Sequence, residues 1–240
     1  MKKLAATLGM MCLMTPLYAA ELSVSLAEIP GLAASDGNGG AEGALPHLLR
    51  IVDEHYDGGD FSYQVFPFGR SIQNVATRKS DVHAPLIDTG AGSPPEFQYI
   101  DEPLLDVTFV VYSRKDAPLD AGSDFSALRV ETMIGHAHFF DFAVDEVASI
   151  EIGLKKLAKG RTDAFIMEQD AVDGLIKAGD MIDLHRAMYA VWDSTLIVPT
   201  GAEGDALNAA LSAAVVAAKS DARYAAAAEQ VHAPFQDWQP

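Results

Sequence analysis

The chain has 240 residues, 49% of them hydrophobic, and its 34 acidic residues against 17 basic ones give a formal net charge of −17. A field this negative repels phosphate backbones and anionic lipid headgroups, which argues against nucleic-acid and membrane-surface binding. The single cysteine, Cys12, lies near the start, so the rest of the chain has no disulfide, thiol nucleophile or cysteine-held metal.

Residues 1–20 carry Lys2 and Lys3, an apolar stretch, Pro16 and the small residues Ala19 and Ala20. This is the pattern of a secretory signal peptide, too short to span a membrane, with cleavage expected after Ala19 or Ala20. A lipoprotein reading at Cys12 fits less well, because Gly9-Met10-Met11 is a poor lipid-attachment box. Loss of the two lysines moves the charge to −19. The exported chain keeps about 220 residues, enough for a large domain or two small lobes without cross-links.

Glu21 to Ile29 alternates as a half-buried strand and stops at Pro30-Gly31, before a glycine-rich loop from Ser35 to Gly43. Leu45, Leu48, Leu49 and Val52 have helical spacing. Phe61 to Phe66 alternates as a strand, and Arg70 opens a helix with Ile72, Val75 and Ala76 on one face. Val82 to Ile87 is a short strand ending at Asp88-Thr89-Gly90. Leu104 to Tyr112 is β-branched and aromatic, as in a central strand.

The charged segment Lys115 to Asp124 follows, then a strand over Leu128 to Ile134 and a turn at Gly135-His136-Ala137-His138 into a helix. A further helix is expected over Ser149 to Lys159, a strand over Ala164 to Met167 and a helix over Asp170 to Lys177. Ala190 to Val198 reads as a second long strand. The alanine-rich stretch from Glu203 to Val231 reads as one long or two shorter helices packed on the body. Strands alternating with helices give an α/β chain with largely parallel sheets.

Two segments echo each other. Residues 67–81 read PFGRSIQNVATRKSD and lead to a strand and Asp88; residues 149–170 read SIEIGLKKLAKGRTDAFIMEQD. These resemble, respectively, the Pro-x-x-Arg, helix, Gly-x-x-Asp segment and the helix, Gly-Arg-x-Asp-Ala, strand, acid segment of the extracellular solute-binding proteins of ABC transporters. The relevant family is family 3, the polar amino-acid binders. The resemblance implies a two-lobed, type II periplasmic-binding-protein fold with two crossing strands between the lobes. The expected lobes are residues 21–106 with 190–240, and residues 107–189. It also implies that Glu168 stands where amino-acid binders place the acid that meets the ligand's ammonium group.

One departure matters. These binders carry a Thr-x-x-Arg segment after the third strand, whose arginine clamps the ligand's carboxylate. Here that region reads DTGAGSPPEFQYI, and no lysine or arginine lies between Lys79 and Arg114. Either Arg70 replaces the clamp or the ligand is not an ordinary amino acid.

Ligands of such folds sit beyond the carboxyl ends of the strands. The expected ligand-binding residues are therefore Glu28, Arg70, Asp88, Thr89, Gly135, His136, His138 and Glu168. At Gly135 a helix start would offer backbone N–H groups to an anion. Asp81 and Asp163 precede their strands and read as structural ties. His136 and His138, with Glu168 or His83, form only a weak metal pattern, and Trp192, Tyr99 and Phe139 are aromatic residues that suit a core as well as a ligand.

No catalytic motif occurs, and no cofactor or metal is expected. The expected role is a monomeric periplasmic binder of a small polar solute, amino-acid-like or another small carboxylate or amine, that serves the membrane permease of an ABC-type importer and does not bind nucleic acid. The alternatives are a periplasmic dehydratase or lyase on the same scaffold, and an accessory or sensor subunit.

Overall fold

A computed structural model describes residues 21–29, 31–179 and 181–240, so the expected signal peptide lies outside the described residues. The first elements are β1 (Leu22–Ala27), β2 (Ala34–Ser35), β3 (Ala41–Glu42), α1 (Ala44–Asp53), β4 (Phe61–Phe66), α2 (Phe68–Ala76), β5 (Val82–Asp88), β6 (Phe97–Tyr99) and β7 (Leu105–Arg114). After these come β8 (Val130–Met133), β9 (Asp145–Val147), α3 (Ile150–Ala158), β10 (Ala164–Glu168), α4 (Gln169–Ala178), β11 (Leu184–Pro199), α5 (Ala202–Ala218) and α6 (Tyr224–Val231).

One sheet runs in the order β4-β1-β5-β11-β7-β10-β8-β9, with β6 beside β11. Pairing is parallel within each lobe, β4-β1-β5 in one and β10-β8-β9 in the other. The connection between them is antiparallel: β11 pairs with β5 and β7, and β7 with β10. This is the mixed α/β fold expected, with β7 and β11 as the crossing strands.

Burial explains the central position of β7. Val107, Phe109 and Val111 pack on one face with Phe125, Val130 and Ile166. Val110 and Tyr112 pack on the other with Leu154, Leu157, Phe165 and Met167. A strand enclosed on both faces needs an almost uninterrupted apolar run. In the first lobe, Leu45, Leu48 and Leu49 of α1 are fully buried against Leu26, Leu196 and Leu211. Each such leucine stabilises the fold by about 1.5–3 kcal/mol. The start of α5 lies so close to β11 that a Cβ on Gly204 would sit 1.6 Å from the Pro199 carbonyl oxygen, which leaves no room for any side chain.

Several elements differ from the sequence reading. The loop from Ser35 to Gly43 is flanked by the short pair β2-β3. β6 and β9 are three-residue strands with no periodicity to mark them. The helix expected after Gly135 is a three-residue 3-10 turn, Ala137–Phe139. The alanine-rich stretch forms two helices. β11 begins at Leu184, six residues before the apolar run, because polar-looking Arg186 is buried.

Arg186 is covered by residues 233–240, which pass from α6 to the second lobe. Its guanidinium donates to the Gln236 (2.6 Å) and Trp238 (3.1 Å) carbonyls, pairs with Asp173 at 3.0 Å and lies 4.9 Å from the Phe235 and Trp238 ring centres. Gln169 Nε2 donates to the Ala233 carbonyl at 2.6 Å and pins the start of the strap. Among the described residues no helix is long and apolar enough to cross a membrane.

Candidate functional site

From one lobe β5 lies alongside β11, and from the other β10 lies alongside β7, each antiparallel to its partner. β5 ends where Asp88 pairs with Asp193, and β10 ends where Glu168 pairs with Phe109. Register therefore gathers the strand ends along the middle of β7 and β11.

On the first-lobe wall, Glu28 follows β1 and is exposed, while Asp88 and Thr89 are half-buried at the end of β5. Asp88 Oδ1 accepts the Gly90 N–H at 2.8 Å, a local turn that leaves its second oxygen free of that bond. Paired residues share a sheet face. Asp88, Asp193 and Asp106 are successive partners across β5, β11 and β7, so three carboxylates stand side by side.

A cavity of about 320 Å³ opens there, lined by Asp88, Ser93, Tyr99, Asp101, Asp193 and Thr195 among others, with no lysine or arginine on its wall. Partial burial pushes the Asp193 carboxyl above the ordinary range, and repulsion from Asp106 and Asp88 adds to this, opposed by Lys219. Arg70 is exposed in the first turn of α2 beside exposed Phe68. It makes no ion pair among the described residues.

On the second-lobe wall, Glu168 is half-buried, stands at the N-cap of α4 without a side-chain bond to the helix, and shares its sheet face with Phe109. The Phe109 ring centre lies 4.5 Å from Trp192 and 5.9 Å from Phe139. His136 lies 5.2 Å from Phe139, and His138 is 4.4 Å from the same ring. These aromatic contacts explain the missing helix: Phe139, Phe140 and Phe142 anchor the segment to the core around Phe109 and Val111, so the chain cannot coil away.

The backbone donors expected to await an anion are taken. Glu146 Oε1 accepts the Gly135 N–H at 2.8 Å and the Ala137 N–H at 3.3 Å, and these two bonds hold its carboxyl below its ordinary pKa. Gly135 has φ +93°, a conformation glycine adopts without strain, and this turns its N–H toward Glu146.

The structure does not gather His83 with His136 and His138. His83 is fully buried beneath α2, with Nδ1 2.6 Å from Ser71 Oγ and Nε2 3.1 Å from the Pro85 carbonyl. A carbonyl only accepts, so Nε2 carries the proton and Ser71 donates to Nδ1. Among the described residues no group of three histidine, cysteine, aspartate or glutamate side chains is placed to hold a metal. Asp81 accepts from Ser23 N (2.8 Å) and Oγ (2.7 Å), and Asp163 accepts from Arg129 Nη2 (2.7 Å) and Nε (3.0 Å), so both tie neighbouring strands away from the cavity. Sequence reasoning missed Asp193 and Asp106, which only register reveals, and Glu146, which lies eleven and nine residues from the two donors it fills.

No protein-family model and no curated protein matches the chain. Solved structures do. A histidine kinase sensor domain with similarity to periplasmic binding proteins is 18% identical with a TM-score of 0.63, covering 88% of this chain and 95% of its own. The GluR0 ligand-binding core from Nostoc punctiforme, in complex with L-glutamate, is 16% identical with a TM-score of 0.64, covering 89% and 100%. The unliganded, open L-cystine solute receptor of Neisseria gonorrhoeae is 18% identical with a TM-score of 0.62, covering 91% and 95%. The fold is thus of the type II periplasmic-binding-protein kind.

Proposed function

We propose that this chain is a solute-binding protein that closes two lobes on a small polar solute and presents the closed form to the permease of an ABC-type importer. The observation that carries this is the convergence of strand ends from both lobes on β7 and β11, where β5 ends at Asp88 beside Asp193 and β10 ends at Glu168 beside Phe109. We place the first lobe at residues 21–106 and 190–240, with the strap 233–240 reaching over to lie against the second lobe at 107–189, and take residues 1–20 as an export signal that delivers the chain to the periplasm. A solute touching both walls binds the closed form more tightly than the open one, so it shifts the population toward closure. Binding proteins and receptors among the structural neighbours support this reading.

The dehydratase or lyase reading gains nothing from the Ser71 and His83 pair. Both are fully buried, and burial lowers the His83 pKa to about 4, which disarms it as a base at neutral pH. A sensor role uses the same site and is supported by the likeness to a kinase sensor domain. Small-angle scattering with a solute found by thermal shift tests the reading. Compaction on binding, lost in Glu168→Ala, is expected; a bound solute that leaves the radius of gyration unchanged would overturn it.

A further inference from the structure

This inference rests on the two-lobed reading and concerns how the lobes move. The crossing strands β7 and β11 are direct neighbours in the sheet, about 5 Å apart. Two strands so close form a narrow ribbon, and a ribbon both bends and twists. Held by the ribbon alone, the lobes would have no single hinge axis.

The strap adds another attachment. Tyr224, Ala227 and Val231 of α6 are buried in the first-lobe core with Leu45 and Leu48. Phe235 and Trp238 pack on the second-lobe core around Leu154, Val172 and Ile176. Only residues 232–234 pass between the two cores, and they are held. Asp170 Oδ2 accepts the Ala233 N–H at 3.1 Å and lies 3.1 Å from His232 Nδ1, while buried Gln169 donates from Nε2 to the Ala233 carbonyl at 2.6 Å. Both polar backbone groups of Ala233 are thus gripped by the first turn of α4, the helix that Glu168 caps.

The grip leaves no slack. Val231 and Ala233 are two residues apart, so their Cα atoms are separated by about 7 Å at most. A motion that carried the end of α6 farther from α4 would have to break these bonds. The grip also lies out of the plane of the ribbon, because α4 packs through Val172 and Ile176 on the face of β7 that carries Val110 and Tyr112. A body held at two separated places turns only about the line that joins them.

We propose that the strap is a third connection between the lobes, fixed at Ala233 by Gln169 and Asp170, which removes twist from the hinge and confines the lobes to one axis through the crossing strands and the first turn of α4. Gln169 and Asp170 are positioning residues in this role.

Residues 21–240 contain no cysteine, so spin labels can be placed at will. In the first lobe α2 packs on Ile197 and α5 on Leu196, adjacent residues of β11, so the two helices cover opposite sheet faces. Gln73→Cys on α2 or Ala213→Cys on α5, each combined with Lys155→Cys on α3, places labels at exposed positions and gives two distances across the lobes that respond differently to bending and twisting. Both are read by double electron–electron resonance.

Inserting about four glycines between Val231 and His232 adds about 13 Å of reach and leaves every bond to the second lobe in place. The insertion is expected to broaden both distance distributions while the Ala233 amide keeps its protection from hydrogen exchange. A strap that only stabilises the second lobe would leave the distances unmoved, since none of its contacts is lost. Unchanged distributions would therefore overturn the proposal, and the solute-binding reading would stand or fall separately, by compaction on binding. Broadening accompanied by loss of Ala233 protection would overturn Gln169 and Asp170 as the point of attachment.

Gln169→Ala combined with Asp170→Ala opens the grip directly and is expected to expose the Ala233 amide and broaden both distributions. Asp170→Asn, which keeps an oxygen for the Ala233 N–H, is expected to leave them narrow. An exposed Ala233 amide with unbroadened distances would again overturn the proposal. If the double variant fails to fold, the insertion decides.

Discussion

The long strand β11 is flanked near its two ends by buried polar clusters of opposite kind. Near its carboxyl end, His83 pairs in register with Ile197 and closes a neutral chain: Asn74 reaches Ser25 at 3.4 Å, Ser25 meets Ser71 at 2.9 Å and Ser71 meets His83 at 2.6 Å. Near its start, Arg186 is 1% exposed and is held by Asp173, two strap carbonyls and two aromatic rings. The neutral network avoids the desolvation of an ion but contains a group that can be charged by acid. The charged cluster keeps its charge at every ordinary pH and depends on every partner being present.

Removing one side of the ion pair gives the largest expected effect. Arg186→Met leaves Asp173 without its cation and releases the strap, and is expected to lower stability by about 3–5 kcal/mol in urea unfolding. Arg186→Lys, which keeps the charge but loses the planar fork, is expected to recover only part of it.

The neutral network should show itself through pH. Folded His83 titrates at about 4 against an ordinary 6.5, so between those values the unfolded chain takes up a proton that the folded chain refuses. Stability from this site is therefore complete above pH 6.5 and falls as the pH drops toward 4, by about 3 kcal/mol in total. Urea midpoints from pH 7 to 4 should show the loss, and His83→Gln should flatten it. An equally steep decline in that variant would move the cause to another group.

Ser71→Ala removes the donor to His83 Nδ1 and leaves a buried acceptor unmet. A loss of about 1–3 kcal/mol is expected at pH 7, measured by thermal and urea unfolding. The smallest effect belongs to the rim of the charged cluster, where Lys177 Nζ lies 4.4 Å above the Trp238 ring. Lys177→Ala is expected to cost about 0.5–1 kcal/mol. A loss as large as that of Arg186→Met would mean that the strap, and not the buried arginine, carries the cluster.

Elements whose burial is written in their own residues were legible in the sequence. Leu105–Arg114 had to be central because apolar side chains occupy both parities, and α1 had to be helical because its leucines repeat at three and four. The extension of β11 back to Leu184 was not legible, since Arg186 owes its burial to a strap about fifty residues away. At the site, chain position identified the strand ends Asp88 and Glu168. The acids beside Asp88 were hidden because Asp193 and Asp106 join it only through strand register. Gly135 was read as an anion seat from its place after a strand, but a seat looks the same in sequence whether empty or filled.

The filled turn at Gly135 has a consequence for how the second lobe holds its edge together. Gly135 and Ala137 already present their N–H groups in a geometry that accepts a carboxylate, as their bonds to Glu146 demonstrate. Shortening Glu146, an exposed side chain on β9, would return both N–H groups to water and leave the Ile134 N–H to Val147 carbonyl bond, at 3.1 Å, to join the turn to the strand. The connection from β8 to β9 is thus closed like a clasp by its own chain, and acid that protonates Glu146 would weaken the clasp.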